Sequence, residues 1–225
     1  MLGQSIRFNS WVLGLFALIT AALLAFTNLG TKDRIEAAKQ EVAKRALLEI
    51  VPLERHNNDL LVDTLEIPAA YWPTLGAEGG VINIARDSDK LVAVLIPTTA
   101  PDGYSGKIQM IIGINIDGTI AGVRVISHKE TPGLGDKVDL KKHDWILGFN
   151  GKSLTNPKIE GWKVKKDKGD FDQFTGATIT PRAVVQQVLK TLQYYKEDKA
   201  RLLKAASPQN QIKASQPPTE ASSNG

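Results

Sequence analysis

The stretch Asp172-Gln173-Phe174-Thr175-Gly176-Ala177-Thr178 ends in a hydroxyl just before a helix start at Thr180-Pro181-Arg182. A phosphoester needs such a group: an accessible hydroxyl with room around it for a phosphate. Gly176 and Ala177 put no bulky side chain beside Thr178, and Gly176 can adopt backbone angles closed to other residues. The following helix offers free N–H groups and the positive end of its dipole, both favourable to a phosphate dianion. A plain strand-to-helix turn with a threonine cap satisfies the same local physics.

A second stretch with chemical potential is His128-Lys129-Glu130-Thr131-Pro132-Gly133-Leu134-Gly135-Asp136. It reads as a glycine-rich turn after a strand, whose backbone can approach a flat ring or a phosphate. Taken alone it reads better as a β-turn without a ligand, and Gly133-Leu134-Gly135 is too short for a dinucleotide fingerprint. In Gly103-Tyr104-Ser105-Gly106, Tyr104 either packs beside a ligand or joins the core.

Other chemistries find no support. The chain has no cysteine, which excludes disulfides, thiol catalysis and iron–sulfur ligation by this chain. His56, His128 and His143 do not stand at metal-ligand spacing, so no metal site is expected. No catalytic triad is evident. The net charge of +4 is spread among mixed signs. The densest basic run, residues 163–168, is broken by Asp167 and followed by Asp170 and Asp172, so no nucleic-acid partner is expected.

The elements that must position these residues are those of an α+β fold: an antiparallel sheet with flanking helices, preceded by a single N-terminal transmembrane helix. After a short segment 1–10, residues 11–29 (WVLGLFALITAALLAFTNL) carry no charge. Roughly 19 residues at about 1.5 Å each span about 28 Å, close to the hydrocarbon thickness. The run is long for a signal-peptide core and no Ala-x-Ala site follows, so it reads as an uncleaved anchor. Lys32, Arg34, Lys39, Lys44 and Arg45 follow it, against Arg7 and the amine before it. Counted alone these favour a cytoplasmic domain, but long domains translocate largely regardless of flanking charge, so the side stays open.

A stalk helix is expected over residues 31–51, capped by Thr31 and ended by Pro52. Strands are expected at 81–86 and 91–96, with Pro97 and Pro101 as breaks, then at 107–116 and 119–127 around an Asp117-Gly118 turn. Ile108, Met110, Ile112, Ile114 and Ile116 alternate, which predicts one buried face. Residues 144–147 read as helical and 162–165 as a further strand. Residues 181–203 form the final helix, with Thr180 as its cap and Pro181 at its first position. The domain thus spans residues 31–204. The tail, residues 205–225, is too polar to repay ordering.

Asp172, Thr175, Gly176, Ala177 and Thr178 match without a gap the flavinylation motif Asp-x-x-(Ser/Thr)-Gly-Ala-(Thr/Ser), whose last residue holds FMN through a phosphoester. Residues 130–135 resemble the Glu-Thr-Pro-Gly-Leu-Gly loop of the same FMN-binding domain family, and residues 103–106 resemble it as well. From the anchor to about Leu203, the order of elements is similar to two related membrane proteins. One is the G component of the Rnf (Rsx) ion-translocating electron-transport complex. The other is the C component of the sodium-pumping NADH:quinone reductase, for which this chain is short.

The resemblance implies covalent FMN on Thr178, with Glu130, Thr131, Gly133, Leu134, Gly135, Thr175, Gly176, Ala177 and Tyr104 around it. It also implies that a separate flavin transferase reads Asp172, Thr175, Gly176 and Ala177, and that no independent active site exists on this chain. The expected function is electron relay in a complex coupling ferredoxin–NAD electron transfer to movement of Na⁺ or H⁺. Partners would be the other subunits and the membrane, with the main domain on the periplasmic side of a bacterial inner membrane. The competing reading is a membrane-anchored binding or scaffold domain with no redox role.

Overall fold

The computed structural model describes residues 2–88 and 90–205; the tail from 206 onward lies outside the described residues. Its principal elements are α1 (Leu2–Ile50), β1 (Thr64–Glu66), α2 (Trp72–Leu75), β2 (Val81–Asp87), β3 (Lys90–Gly103), β4 (Gly106–Asn115), β5 (Ile120–Ser127) and α3 (Ile179–Ala205). Short 3-10 segments punctuate the long connection between β5 and α3. Packing separates the first part of α1, up to Val42, from a compact unit that begins at Ala43.

The first unit is the apolar part of α1. Phe16, Leu18, Leu24 and Phe26 are exposed along it, and the helix is long and apolar enough to cross a membrane. The break expected at Thr31 is absent. Thr31 Oγ1 donates to the Thr27 carbonyl at 2.8 Å, as Thr27 does to Leu23, and that back-bonding belongs to a helix interior. Gly30 costs about 1 kcal/mol relative to alanine, which is too little to stop a helix favoured on both sides.

In the second unit the strands run β1-β2-β3-β4-β5, each antiparallel to its neighbour. The expected alternation appears in β4. Ile108, Met110, Ile112 and Ile114 are buried with Ile84, Val94 and Ile96 under Val184, Val185, Val188 and Leu192 of α3. Ile116 departs from the pattern; it lies beyond the strand and is exposed. The Asp117-Gly118 turn forms, with Asp117 Oδ1 accepting from Thr119 N and Oγ1.

Burial of a single face is not what the structure shows. Ala46, Leu47 and Ile50 at the end of α1 cover Ala85, Ala93, Leu95 and Ile111 on the opposite face. Nor do Pro97 and Pro101 end a strand. β3 runs through both, because pairing with β2 stops at Asn83↔Leu95 and leaves the rest of β3 bonded to β4 alone. A proline is tolerated on such an edge, where no N–H is required. Residues 162–165 form no strand: Trp162 is buried beneath Phe149 and Phe171, and Val164 makes one isolated bridge to Phe171.

Candidate functional site

The site is built around the start of α3. Phe174 to Ala177 form a tight turn in which Ala177 N donates to Phe174 O at 3.1 Å. Gly176 sits at φ +79, a left-handed value that glycine adopts without a steric penalty. The turn delivers Thr178 to the position immediately before α3, where its carbonyl accepts from Arg182 N at 3.2 Å and its side chain is half-buried.

Thr180 is not the cap that its sequence position suggests. The helix begins at Ile179, so Thr180 lies inside the first turn, fully buried, and its Oγ1 donates to Glu130 Oε2. Glu130 is itself buried, and its Oε1 accepts from Ser105 N at 2.9 Å. One carboxylate therefore ties together the 103–106 turn, the 128–136 loop and the start of α3. The loop is folded on the Thr131 carbonyl, which accepts from Leu134 N and Gly135 N, both at 3.1 Å.

These segments enclose a cavity of about 320 Å³. Tyr104, Leu134, Ala177 and Ile179 give it apolar walls; Glu130, Thr131, Thr178 and Thr180 give it polar groups. Gly135 and Gly176 complete the lining. Tyr104 is 68% exposed on this rim, so of its two sequence readings the core one does not hold. Gly133 and Thr175 do not line the cavity. Gly133, at φ +78, makes the loop's turn, whereas Thr175 is exposed on a neighbouring cavity.

That second cavity, of about 690 Å³, runs between the 3-10 turn Asp144–Phe149 and residues 170–175. Asp172 is exposed there and pairs with Lys165 Nζ at 2.6 Å. Its backbone carbonyl accepts from Trp145 Nε1 at 2.8 Å, and Gln173 Oε1 accepts from Lys166 N at 3.0 Å. Arg182, in the first turn of α3, is held in a two-pronged pair with Asp167, at 2.6 and 2.9 Å. The Arg182 guanidinium keeps the Asp167 carboxyl below the usual carboxylate range. Sequence reasoning anticipated neither Trp145 nor the Thr180–Glu130 contact. Both depend on side chains meeting across long loops, and no local spacing signals them.

A slot with apolar walls and an equal number of polar side chains, opening on a helix start, suits a flat aromatic ring that carries a phosphate. The residues present therefore fit a flavin mononucleotide. The FMN-binding domain family matches residues 103–193, and the RnfG N-terminal region family matches residues 1–50. The G subunit of the ion-translocating oxidoreductase complex of Pseudoalteromonas atlantica is 44% identical over 204 residues, covering 91% of this chain and 94% of its own. The protein of that name from Vibrio atlanticus is 45% identical, covering 89% of this chain and 95% of its own. The one from Pseudomonas aeruginosa is also 45% identical, covering 89% and 93%.

Proposed function

Because the chain belongs to the family of the ion-translocating oxidoreductase complex G subunit and carries an FMN-binding domain, we propose that it relays electrons in a membrane complex through FMN held covalently on Thr178. The observation that carries this reading is the placement of Thr178. Its hydroxyl belongs to a half-buried residue at the start of a long helix, on the wall of a cavity with apolar sides. Bound FMN supplies the redox chemistry, accepting and releasing electrons at its isoalloxazine ring.

The chain's own residues hold and orient. Tyr104, Leu134 and Ile179 would hold the ring and cover its apolar surface. The N–H groups of Ile179 and Thr180 at the start of α3, together with the helix dipole, would stabilise the phosphate. Glu130, fixed by Ser105 N and Thr180 Oγ1, keeps the three segments of the site together.

Loading requires a separate flavin transferase with FAD as donor. Thr178 Oγ1 forms a bond to the flavin-side phosphorus, the pyrophosphate bond breaks, AMP leaves, and the hydroxyl proton passes to the transferase or solvent. Asp172, Thr175, Gly176 and Ala177 are the residues read by that enzyme. The apolar part of α1 anchors the chain in a bacterial inner membrane with the domain on the periplasmic side. There a covalent bond keeps the cofactor from being lost to dilution. The complex couples electron transfer between ferredoxin and NAD to movement of Na⁺ or H⁺.

Intact mass of the chain, purified from cells that contain the transferase, tests the reading. An FMN-phosphoester increment is expected, together with flavin fluorescence of the denatured band. Both should vanish in Thr178→Ala. A band that stays fluorescent in that variant would move the attachment to Thr175 or Thr180, and a bare mass in the wild type would point to the non-redox scaffold.

A further inference from the structure

Trp145 lies 27 residues before Asp172 and outside the Asp172–Thr178 stretch, yet it grips that stretch at two points. Its indole N–H donates to the Asp172 carbonyl at 2.8 Å. Its ring meets Phe174 edge-on with centroids 5.1 Å apart, and Phe149 in the same manner at 5.3 Å. Trp145 is in turn held by its own backbone N–H, which donates to His143 Nδ1 at 3.0 Å. Phe149 and Phe174 are buried, so the ring stands against fixed partners. The outcome is a turn that displays Asp172 and Thr175 outward on one cavity and Thr178 on the other.

We propose that Trp145 is a positioning residue for the loading of Thr178, holding residues 172–178 in the folded shape that the flavin transferase reads. The proposal rests on the assignment of Thr178 as the attachment point. It differs from a linear tag, which would be read in an extended form and would be indifferent to a residue so far away in sequence. A turn ordered beforehand costs less to bind than one ordered by the enzyme. Without the indole N–H, the remaining side-chain tether of Asp172 among the described residues is its pair with Lys165, and both of those side chains are exposed. Exposed ion pairs hold geometry weakly. Trp145 touches none of the reacting atoms in the phosphoryl transfer described above.

The test uses the full-length chain, made without the transferase, purified in detergent, then mixed with transferase and FAD. Loading is followed by in-gel flavin fluorescence and intact mass over a range of acceptor concentrations. Trp145→Phe keeps a ring against Phe149 and Phe174 but removes the donor. It should lower kcat/KM for loading by about fivefold or more, chiefly through a raised KM for the acceptor.

Once loading is complete, its flavin spectrum should match that of the wild type, because Trp145 does not line the Thr178 cavity. Trp162→Phe is the control. Trp162 is fully buried in the same aromatic cluster, but its indole donates to Ser153 O rather than to the motif. It should lower the melting temperature yet load at the wild-type rate when assayed well below that temperature. A wild-type rate for Trp145→Phe overturns the proposal, as does equal slowing in both variants, which would make the effect one of packing alone. A wild-type chain that takes no flavin on Thr178 removes the underlying assignment, and the proposal falls with it.

Discussion

Glu130 is the residue on which the geometry of the candidate site turns. A buried carboxylate is costly unless its oxygens are bonded, and both of its oxygens accept from donors in other segments. The fit leaves no spare room. A Cβ at Gly135 would stand 2.8 Å from both Glu130 Oε2 and Thr180 Oγ1, and one at Gly103 would stand 2.9 Å from Glu130 Oε1. Gly135 is therefore needed for space, with no left-handed backbone angle behind the requirement. Gly135→Ala should push Glu130 off Thr180 and cost about 1.5–3 kcal/mol, the range for a hydrogen bond to a charged group. Gly135→Val should cost more and alter the visible flavin absorption of the loaded chain. A denaturation midpoint and a spectrum that both match the wild type would remove this loop from the site. The sequence placed Glu130 and Gly135 near a cofactor by resemblance. It could not show that they meet Thr180, because that hydroxyl reads locally as a cap.

At the scale of elements, the end of α1 is seated in a trough made by two glycines. Gly113 of β4 and Gly122 of β5 are direct partners across the ladder. A Cβ on Gly113 would collide with Ile50 Cγ2, and one on Gly122 would come within 3.4 Å of Ile50 Cγ1. Ile50 is 3% exposed, so it has nowhere to go. Gly113→Ala should destabilise the domain by about 1–3 kcal/mol, the usual cost of overpacking. In an Ile50→Ala background the same change should cost markedly less, since the clashing methyl is gone. Urea denaturation of the four chains of that cycle measures the difference; strict additivity would refute the contact.

The sequence revealed the alternation of β4 and the Asp117-Gly118 turn because both are local patterns of period two and of turn chemistry. It concealed the second covered face of the sheet, because Ala85, Ala93 and Gly113 are too small to register as an apolar stripe. It misjudged Pro97 for a related reason: whether a proline breaks a strand depends on whether a neighbour lies on its N–H side. That is a property of the sheet and not of the strand.

Across the whole molecule, displaced titrations bound the pH range in which the fold is most stable, and the two limits are unequal. On the acid side, the Thr119 N–H and hydroxyl hold Asp117 low, and the Arg182 guanidinium holds Asp167 low. A depressed carboxylate contributes stability above its ordinary value, about 4, and loses it as pH falls through the lowered one. Asp117 lies in an exposed turn and Asp167 makes a surface pair, so this limit should be shallow.

On the alkaline side, burial, with the Asp198 carboxylate as a second cause, pushes Tyr194 well above the ordinary tyrosine range. Burial and the Asp117 charge push Tyr195 up to about 12. A raised phenol contributes stability below its ordinary value, about 10, and loses it as pH climbs toward the raised one. For Tyr195, a rise from about 10 to about 12 is worth on the order of 3 kcal/mol. Melting temperature should therefore stay flat from about pH 5 to 9 and fall steeply above about 10. Phenolate absorbance of these two side chains should rise together with unfolding. Tyr195→Phe should flatten part of the alkaline fall while lowering neutral stability, because its bond to the Ile116 carbonyl is lost. Both tyrosines sit on the helix that begins beside Thr178, so the flavin spectrum of the loaded chain should hold constant up to that fall and change with it. A spectrum that shifts well before the melting temperature does would uncouple the site from α3.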